Sequence, residues 1–267
     1  MKQVLTTSLC VLLLAMVVRA HDMFLKFDSF FLAPNAQVEV RLLNGVFDKS
    51  ENVILRERMR DVSILGPGGL SHPAESDWRD DDTTSVLRLR TGGPGTYVVG
   101  TSTRPSQLSM TADDFNEYLK LEGVIDTFAE RKKLGQLGVA ATERYSKHVK
   151  AIYQVGDART DTYRTPLGYP VEMVPQQNPY QLKIGDTLAV LCLRDGKPVA
   201  NQYVLYGVEA PKAKYTQLET RSDKDGVVRV PLTGAGRWYL KYIHMTPINE
   251  PPVNYESRWA SLTFEVK

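Results

Sequence analysis

Apolar and polar residues alternate along short segments at both ends of the chain. Residues 38–42, 87–90 and 262–267 place an apolar side chain at every second position, the pattern of a strand with one buried face. Glycine, proline and asparagine bound such segments, and Asn44 with Gly45 follows the first of them, where we expect a hairpin turn. These patterns predict a mainly β protein built from antiparallel sheets.

The middle of the chain, from Thr111 to about residue 156, has a helical period instead. A first helix is predicted between Thr111, which has capping-box spacing to Asp114, and Gly123, which suits a C-cap. A second helix is predicted over residues 140–155, where several side chains would share one helical face: Tyr145, His148, Val149 and Ile152.

Two stretches of the chain repeat in the same order in each half. Residues 87–97 align without a gap to residues 228–238, and residues 32–40 match residues 182–190. Each longer match contains a strand, a glycine-containing turn and a strand that opens on an aromatic residue. We therefore predict two immunoglobulin-like or transthyretin-like antiparallel β-sandwiches with a helical insert. The predicted limits are 21–108 for the N-terminal sandwich, 109–165 for the helical insert and linker, and 166–267 for the C-terminal sandwich.

The first twenty residues have the features of a signal peptide. Lys2 precedes an apolar run over residues 9–18 that is short for a membrane span, and Val18 and Ala20 occupy the −3 and −1 positions of a cleavage site. We expect cleavage after Ala20 and a periplasmic protein without stable membrane insertion. The alternative is a retained anchor helix.

Charge and cysteine content narrow the choice of partner. The 33 Lys and Arg residues against 31 Asp and Glu give a net charge of +2, and Lys2 and Arg19 of the leader supply that excess. A neutral mature chain argues against nucleic acid or an anionic membrane as the main partner. Cleavage would also remove Cys10, so no disulfide can form within the mature chain, and the apolar neighbours of Cys192 predict a buried thiol.

Histidines are the main candidates for chemistry. Cleavage after Ala20 would make His21 the first residue, and its α-amine and ring nitrogen could chelate one metal ion. The α-amine has a pKa of about 8, so a metal can displace its proton at neutral pH. A third ligand must come from elsewhere, and His244 is the best candidate because strand alternation places it inward, just before Pro247. The alternatives are that His21 only begins the first strand and that His244 is a core histidine.

The remaining candidates are weaker. Met245 adjoins His244 but points to the other face of an ideal strand, so both could bind one ion only if the strand breaks there. A thioether would favour Cu(I), whereas imidazole and amine suit Ni(II), Co(II) or Cu(II). His148 is expected to pack against a sheet, His72 to lie in an exposed loop, and residues 80–82 lack the glycine and glutamate of a calcium loop. The sequence contains no nucleophile elbow, zinc-protease motif, phosphate-binding loop or Cys-x-x-Cys motif.

Several segments together resemble a bacterial family of exported proteins of unknown function. They are residues 21–25 directly after the leader, 143–147, 178–180, 185–188, 238–245 and 259–264. Members of that family are often labelled periplasmic components of nickel or cobalt uptake. The resemblance implies a divalent-metal ligand role for His21 and His244, with an inner-membrane importer as the partner.

Three classes of function stay open at this point. The first is a periplasmic protein that binds nickel or cobalt and captures it for an inner-membrane uptake system. The second is a copper enzyme, because an amine with two imidazoles resembles the histidine brace of oxidative polysaccharide-cleaving enzymes. The third is a metal-free structural module that binds protein or glycan, and fold class alone cannot separate the three.

Overall fold

The computed structural model describes residues 21–210 and 216–267, so the predicted signal peptide lies outside the described residues. The helices and strands of the described residues are, in chain order, β1 (Asp22–Lys26), β2 (Phe31–Leu32), β3 (Gln37–Val46), β4 (Lys49–Ser50), β5 (Met59–Gly66), β6 (Gly69–Ser71), β7 (Trp78–Asp81), β8 (Thr84–Arg90), β9 (Gly95–Thr103), β10 (Ser106–Met110), α1 (Ala112–Leu121), α2 (Ile125–Lys133), β11 (Ala141–Val155), β12 (Val171–Pro175), β13 (Thr187–Arg194), β14 (Lys197–Pro198), β15 (Tyr203–Glu209), β16 (Leu218–Arg221), β17 (Val227–Pro231), β18 (Gly236–Glu250) and β19 (Val253–Val266).

These strands form three sheets. A ten-stranded sheet, here the large sheet, runs in the order β16-β15-β18-β19-β11-β9-β5-β6, with β2 and β10 also paired to β11. A five-stranded sheet, the N-terminal small sheet, has the order β1-β3-β8-β7 with β4 beside β3. A four-stranded sheet, the C-terminal small sheet, contains β12, β13, β14 and β17. The expected mainly β class with antiparallel sheets is confirmed.

The large sheet is covered on both faces at its centre. On one face, Ser261 and Thr263 of β19 donate hydrogen bonds to backbone carbonyls of β1, at 2.7 and 2.5 Å. On the other face, Tyr242 of β18 donates to the Leu193 carbonyl of β13, and Lys150 of β11 pairs with Glu172 of β12. The two small sheets therefore pack on opposite faces, which makes two sandwiches that share the large sheet.

The internal repeat has a structural counterpart. In each half, a strand of a small sheet turns into a strand of the large sheet, β8 into β9 and β17 into β18. The aromatic residue that opens the second strand bonds back to the turn in both cases. Tyr97 donates to the Gly93 carbonyl at 2.8 Å, and Trp238 donates to the Gly234 carbonyl at 3.1 Å. The partners are four residues apart in both turns, so the repeat builds the same corner twice.

The predicted helix over residues 140–155 is wrong, because this segment is strand β11. Residues 147–155 are buried without interruption, since β11 lies inside the large sheet with both faces covered. A strand buried on both faces shows no period of two, and its apolar positions can coincide with helical spacing. The strand pairs in parallel with β19 from Glu143 to Ala151, the one parallel pairing of that length among the described strands.

Of three further local predictions, two are confirmed and one is wrong. Helix α1 begins as predicted, with the backbone N–H of Asp114 donating to Oγ1 of Thr111 at 3.2 Å. The expected turn at Asn44 and Gly45 is wrong: both residues lie inside β3, and the turn to β4 is formed by Phe47 and Asp48. Cys192 is buried as expected, and burial raises the pKa of its thiol to about 12.

A buried ion pair attaches the C-terminal small sheet to the large sheet. Nζ of Lys150 is 2.7 Å from Oε2 of Glu172, and the two side chains are 3% and 2% exposed. Glu172 also accepts backbone N–H bonds from the preceding turn, at residues 167–169. Removing one member of such a pair leaves the other charge buried without compensation.

We expect the Lys150→Met substitution to lower the free energy of unfolding by about 3–5 kcal/mol, because it leaves the Glu172 carboxylate uncompensated. Adding Glu172→Gln should restore much of this loss, which urea unfolding of the double-mutant cycle measures. The matched control is Arg41→Met, which breaks the exposed pair with Asp28 and should cost less than about 1 kcal/mol. Additive effects of the two core substitutions would contradict the assigned coupling.

Candidate functional site

His21 lies just before β1 and contacts a carboxylate. Its Nε2 is 2.6 Å from Oε2 of Glu51, the residue that follows β4, and the His21 side chain is 23% exposed. Since an ionised carboxylate only accepts hydrogen bonds, Nε2 carries the proton, and in the neutral ring Nδ1 is left as the basic nitrogen. The pair therefore fixes one tautomer at the start of the predicted mature chain.

Two buried lysines of the large sheet bind the backbone of His21 and the side chain of Asp22. Lys147 of β11 donates to the carbonyl of His21. Lys241 of β18 donates to Oδ2 of Asp22 at 2.5 Å and to Oε2 of Glu122, just after α1, at 2.9 Å. The beginning of β1 is thus attached both to the large sheet and to the end of α1.

A third carboxylate, that of Glu143, completes a cluster with Asp22, Glu122, Lys147 and Lys241. Glu143 of β11 accepts hydrogen bonds from the hydroxyls of Tyr118, at 2.9 Å, and Ser257. Asp22, Glu122 and Glu143 all act electrostatically on Lys147, so three carboxylates face two ammonium groups, those of Lys147 and Lys241. With every group ionised, the cluster carries one excess negative charge.

The pKa values in this cluster depend on burial and on the charges of the neighbouring carboxylates and lysines. Burial, and then the Asp22 charge, raise the pKa of Glu122 to about 7 against the opposing effect of Lys241. Burial lowers the pKa of Lys147 to about 8. Burial would also lower the pKa of Lys241, but the Asp22 and Glu122 carboxylates outweigh it and raise that pKa. Lys241 therefore stays charged between its two carboxylate partners.

His244 has a different environment. Its Nε2 accepts a hydrogen bond from Arg194 at 2.8 Å, and its Nδ1 is 2.9 Å from Oε1 of Gln202. Burial, followed by the charges of Arg194 and Arg258, lowers the pKa of His244 to about 4. The ring is therefore a neutral imidazole with both nitrogens in use.

The structure does not bring His21 and His244 together. Side chains alternate along β18, so Lys241, which holds Asp22, and His244 point to opposite faces of the large sheet. His244 faces the C-terminal small sheet through Arg194, whereas His21 lies on the face that carries β1. Met245 points away from His244, as expected from alternation, and packs against the apolar cluster under α1.

No group of three His, Cys, Asp or Glu side chains that could hold a metal occurs within residues 21–210 and 216–267. His148 is buried, with hydroxyls of Ser102 and Ser146 at 2.9 and 3.0 Å from its nitrogens, and burial lowers its pKa to about 3. His72 is largely exposed and lies 3.4 Å from Asp61. A site at His21 would hence rest on that residue and its immediate surroundings.

Sequence reasoning missed the residues around His21. Glu51 is thirty residues away along the chain, and no local pattern connects the two. Lys147 and Lys241 occupy alternating positions that polar residues also take on exposed strands. The one available signal was Asp22, an acidic residue at the start of an apolar strand, which needs a buried cation as its partner.

Comparison with known proteins places the chain in a family. The family described as a domain of unknown function (DUF4198) matches residues 18–246, and the chain belongs to it. The resemblance to a family of unknown function is thereby confirmed, while the nickel and cobalt label stays a prediction. None of the curated proteins matches the chain.

Two solved structures are similar to the chain at low identity. The D0-D1 domain of intimin is 12% identical, with 91% of this chain and 97% of that chain covered and a TM-score of 0.19. A tetra-tandem repeat in the extending region of a large adhesion protein is 10% identical, with 93% and 50% covered and a TM-score of 0.22. These scores are too low to support an argument.

Among the described residues, no helix combines the length and apolar character that a bilayer crossing requires.

The Glu122→Gln substitution should flatten the pH dependence of stability between about pH 4.5 and 7. In this window the folded state binds more protons than the unfolded state, so the contribution of Glu122 to stability is present at the acidic end and is lost as pH rises. A pKa raised from 4.5 to about 7 corresponds to roughly 3 kcal/mol. Urea unfolding across this range measures the slope. Glu117→Gln, on the exposed face of α1, should keep the wild-type slope; an unchanged slope in Glu122→Gln would contradict the assignment.

Proposed function

We propose that the mature protein is a periplasmic metal-binding protein that captures nickel or cobalt at its N-terminus for an inner-membrane importer. The observation that supports this is the 2.6 Å contact between Nε2 of His21 and Glu51. Metal-ligating histidines almost always donate their other ring N–H to a carboxylate, a carbonyl or water, which orients the ring and raises its basicity. In this chain Glu51 has that orienting role.

The donors of this site are the α-amine of residue 21 and Nδ1 of its ring, which together close a six-membered chelate. Nitrogen donors of this kind suit Ni(II), Co(II) and Cu(II). Because the His21 side chain is 23% exposed, water or a partner protein can supply the remaining ligands. A site that is only partly closed by the protein suits a carrier that must release its ion.

Carboxylates lie close to this end of β1. Asp22, Glu122 and Glu143 act electrostatically on Lys147, and Asp22 and Glu122 also pair with Lys241, which offsets part of the repulsion between a metal ion and the two lysines. His244 contributes nothing to the proposed chelate, because its Nε2 lone pair is used by Arg194 and the neighbouring guanidinium groups repel cations. Of the three metal ligands expected from sequence, this proposal uses His21 alone.

The proposal requires a free amine at residue 21. We expect mass spectrometry of the protein exported by its native host to give a chain that starts at His21. A bulky residue at the −1 position blocks signal-peptide cleavage, so Ala20→Phe should accumulate the precursor and serves as the control. A mature start at any other residue would remove the proposed chelate.

Metal binding should depend on His21 and its amine. Calorimetric titration of the tag-free chain with Ni(II), Co(II) and Cu(II) should show one site. His21→Ala should abolish binding, and one extra glycine ahead of His21, which displaces the amine, should weaken it. Glu51→Gln should weaken binding about 10–100-fold, as for other groups that orient a ligand.

His244→Gln is the matched control for this titration and should leave metal affinity unchanged. Loss of affinity in His244→Gln with full affinity in His21→Ala would return the ion to His244 and refute the proposal.

A further inference from the structure

Arg131 of α2 is a buried cation without a carboxylate partner among the described residues. It is 3% exposed, and no ion pair within residues 21–210 and 216–267 includes it. The other cations with comparable burial all face carboxylates: Lys26, Lys147, Lys150 and Lys241. A buried charge is ordinarily paired, so the expected partner at this position is a bound anion.

The hydrogen bonds of Arg131 leave part of the guanidinium unused. Nη2 donates to the carbonyls of Gln136 and Val139 at 2.8 and 2.6 Å, and Nε reaches Asn116 at 3.4 Å. Nη1 donates to the hydroxyl of Tyr255 at 3.2 Å. All these acceptors are neutral. The guanidinium carbon also lies 4.9 Å from the ring centroid of Phe115 and 5.8 Å from that of Tyr255, but neither ring supplies a counter-charge. The second hydrogen of Nη1 has no hydrogen-bond partner within the described part of the chain.

A cavity of about 260 Å³ lies beside this group, between α2, the loop that follows it and the hairpin of β18 and β19. Its apolar wall consists of Leu134, Val139, Pro247 and Ile248. Arg131 and Tyr255 also line it. Because the Tyr255 oxygen accepts from Arg131, its own proton is available, and both donor residues belong to the lining of the cavity.

We propose that this cavity binds a small organic monocarboxylate, with the carboxylate at Arg131 and Tyr255 and the apolar body against Leu134 and Ile248. The volume is slightly below the roughly 300–1,000 Å³ of drug-sized ligand sites, so the ligand is small. Apolar walls, and the exposed acid Glu130 on the lining, disfavour a hydrated dianion such as phosphate. This binding site is independent of the metal chelate at His21.

The test uses the tag-free mature chain with benzoate as the probe and benzamide as its neutral isostere. Calorimetry should show one saturable benzoate site with an affinity at least tenfold above those of benzamide and of acetate. The NMR shift changes should be confined to residues 127–139 and 247–255. Absence of saturable benzoate binding, or equal affinity for benzamide, would overturn the proposal and leave Arg131 as a cap for the loop after α2.

Variants separate the charge from the cavity. Arg131→Gln should lower benzoate affinity at least tenfold, whereas Lys132→Gln, an exposed change on the same helix, should not alter it. Ile248→Trp fills the cavity and keeps Arg131, so it should also abolish binding and decides the matter if Arg131→Gln does not fold. Retained benzoate affinity in a folded Arg131→Gln protein or in Ile248→Trp would overturn the proposal.

Discussion

The parallel pairing of β11 with β19 joins the two halves of this protein. It runs from Glu143 to Ala151 on one strand and from Tyr255 to Thr263 on the other. Parallel neighbours cannot be joined by a tight turn, and here the whole C-terminal sandwich is the connection between them. The last strand of the chain therefore has to pair with β11, from the middle of the sequence, before the large sheet is complete. Each small sheet then has a continuous surface on which to pack.

Because this strand pair is buried on both faces, its charged side chains need partners inside the protein. Lys147 and Lys150 are three residues apart on β11 and point to opposite faces. One faces the carboxylates around the beginning of β1, and the other pairs with Glu172 of β12. Ion pairs of this kind are costly to desolvate and costly to break singly. The two lysines of this one strand thus contact both small sheets.

The same arrangement separates the candidate ligands. A sheet that is covered on both faces keeps side chains of opposite parity apart, so His21 at β1 and His244 at the end of β18 face different partners. His244 is satisfied by Arg194 and Gln202. His21 has a carboxylate beside it and lies partly open to solvent. The chelate proposed at the N-terminus accordingly has open positions, and an enclosed three-ligand centre has no counterpart in the described residues.

Local patterns in the sequence determined the mainly β class, the strands within β3, β8 and β19, the capped start of α1 and the burial of Cys192. They also marked the two equivalent corners at Tyr97 and Trp238. These features depend on nearby residues, because turn chemistry and one-sided burial leave a local period. The strand at β11, the Glu51 contact and the burial of Arg131 were decided by tertiary structure alone. Burial on both faces removes the alternation that identifies a strand, and contacts between residues far apart in the chain leave no spacing to detect.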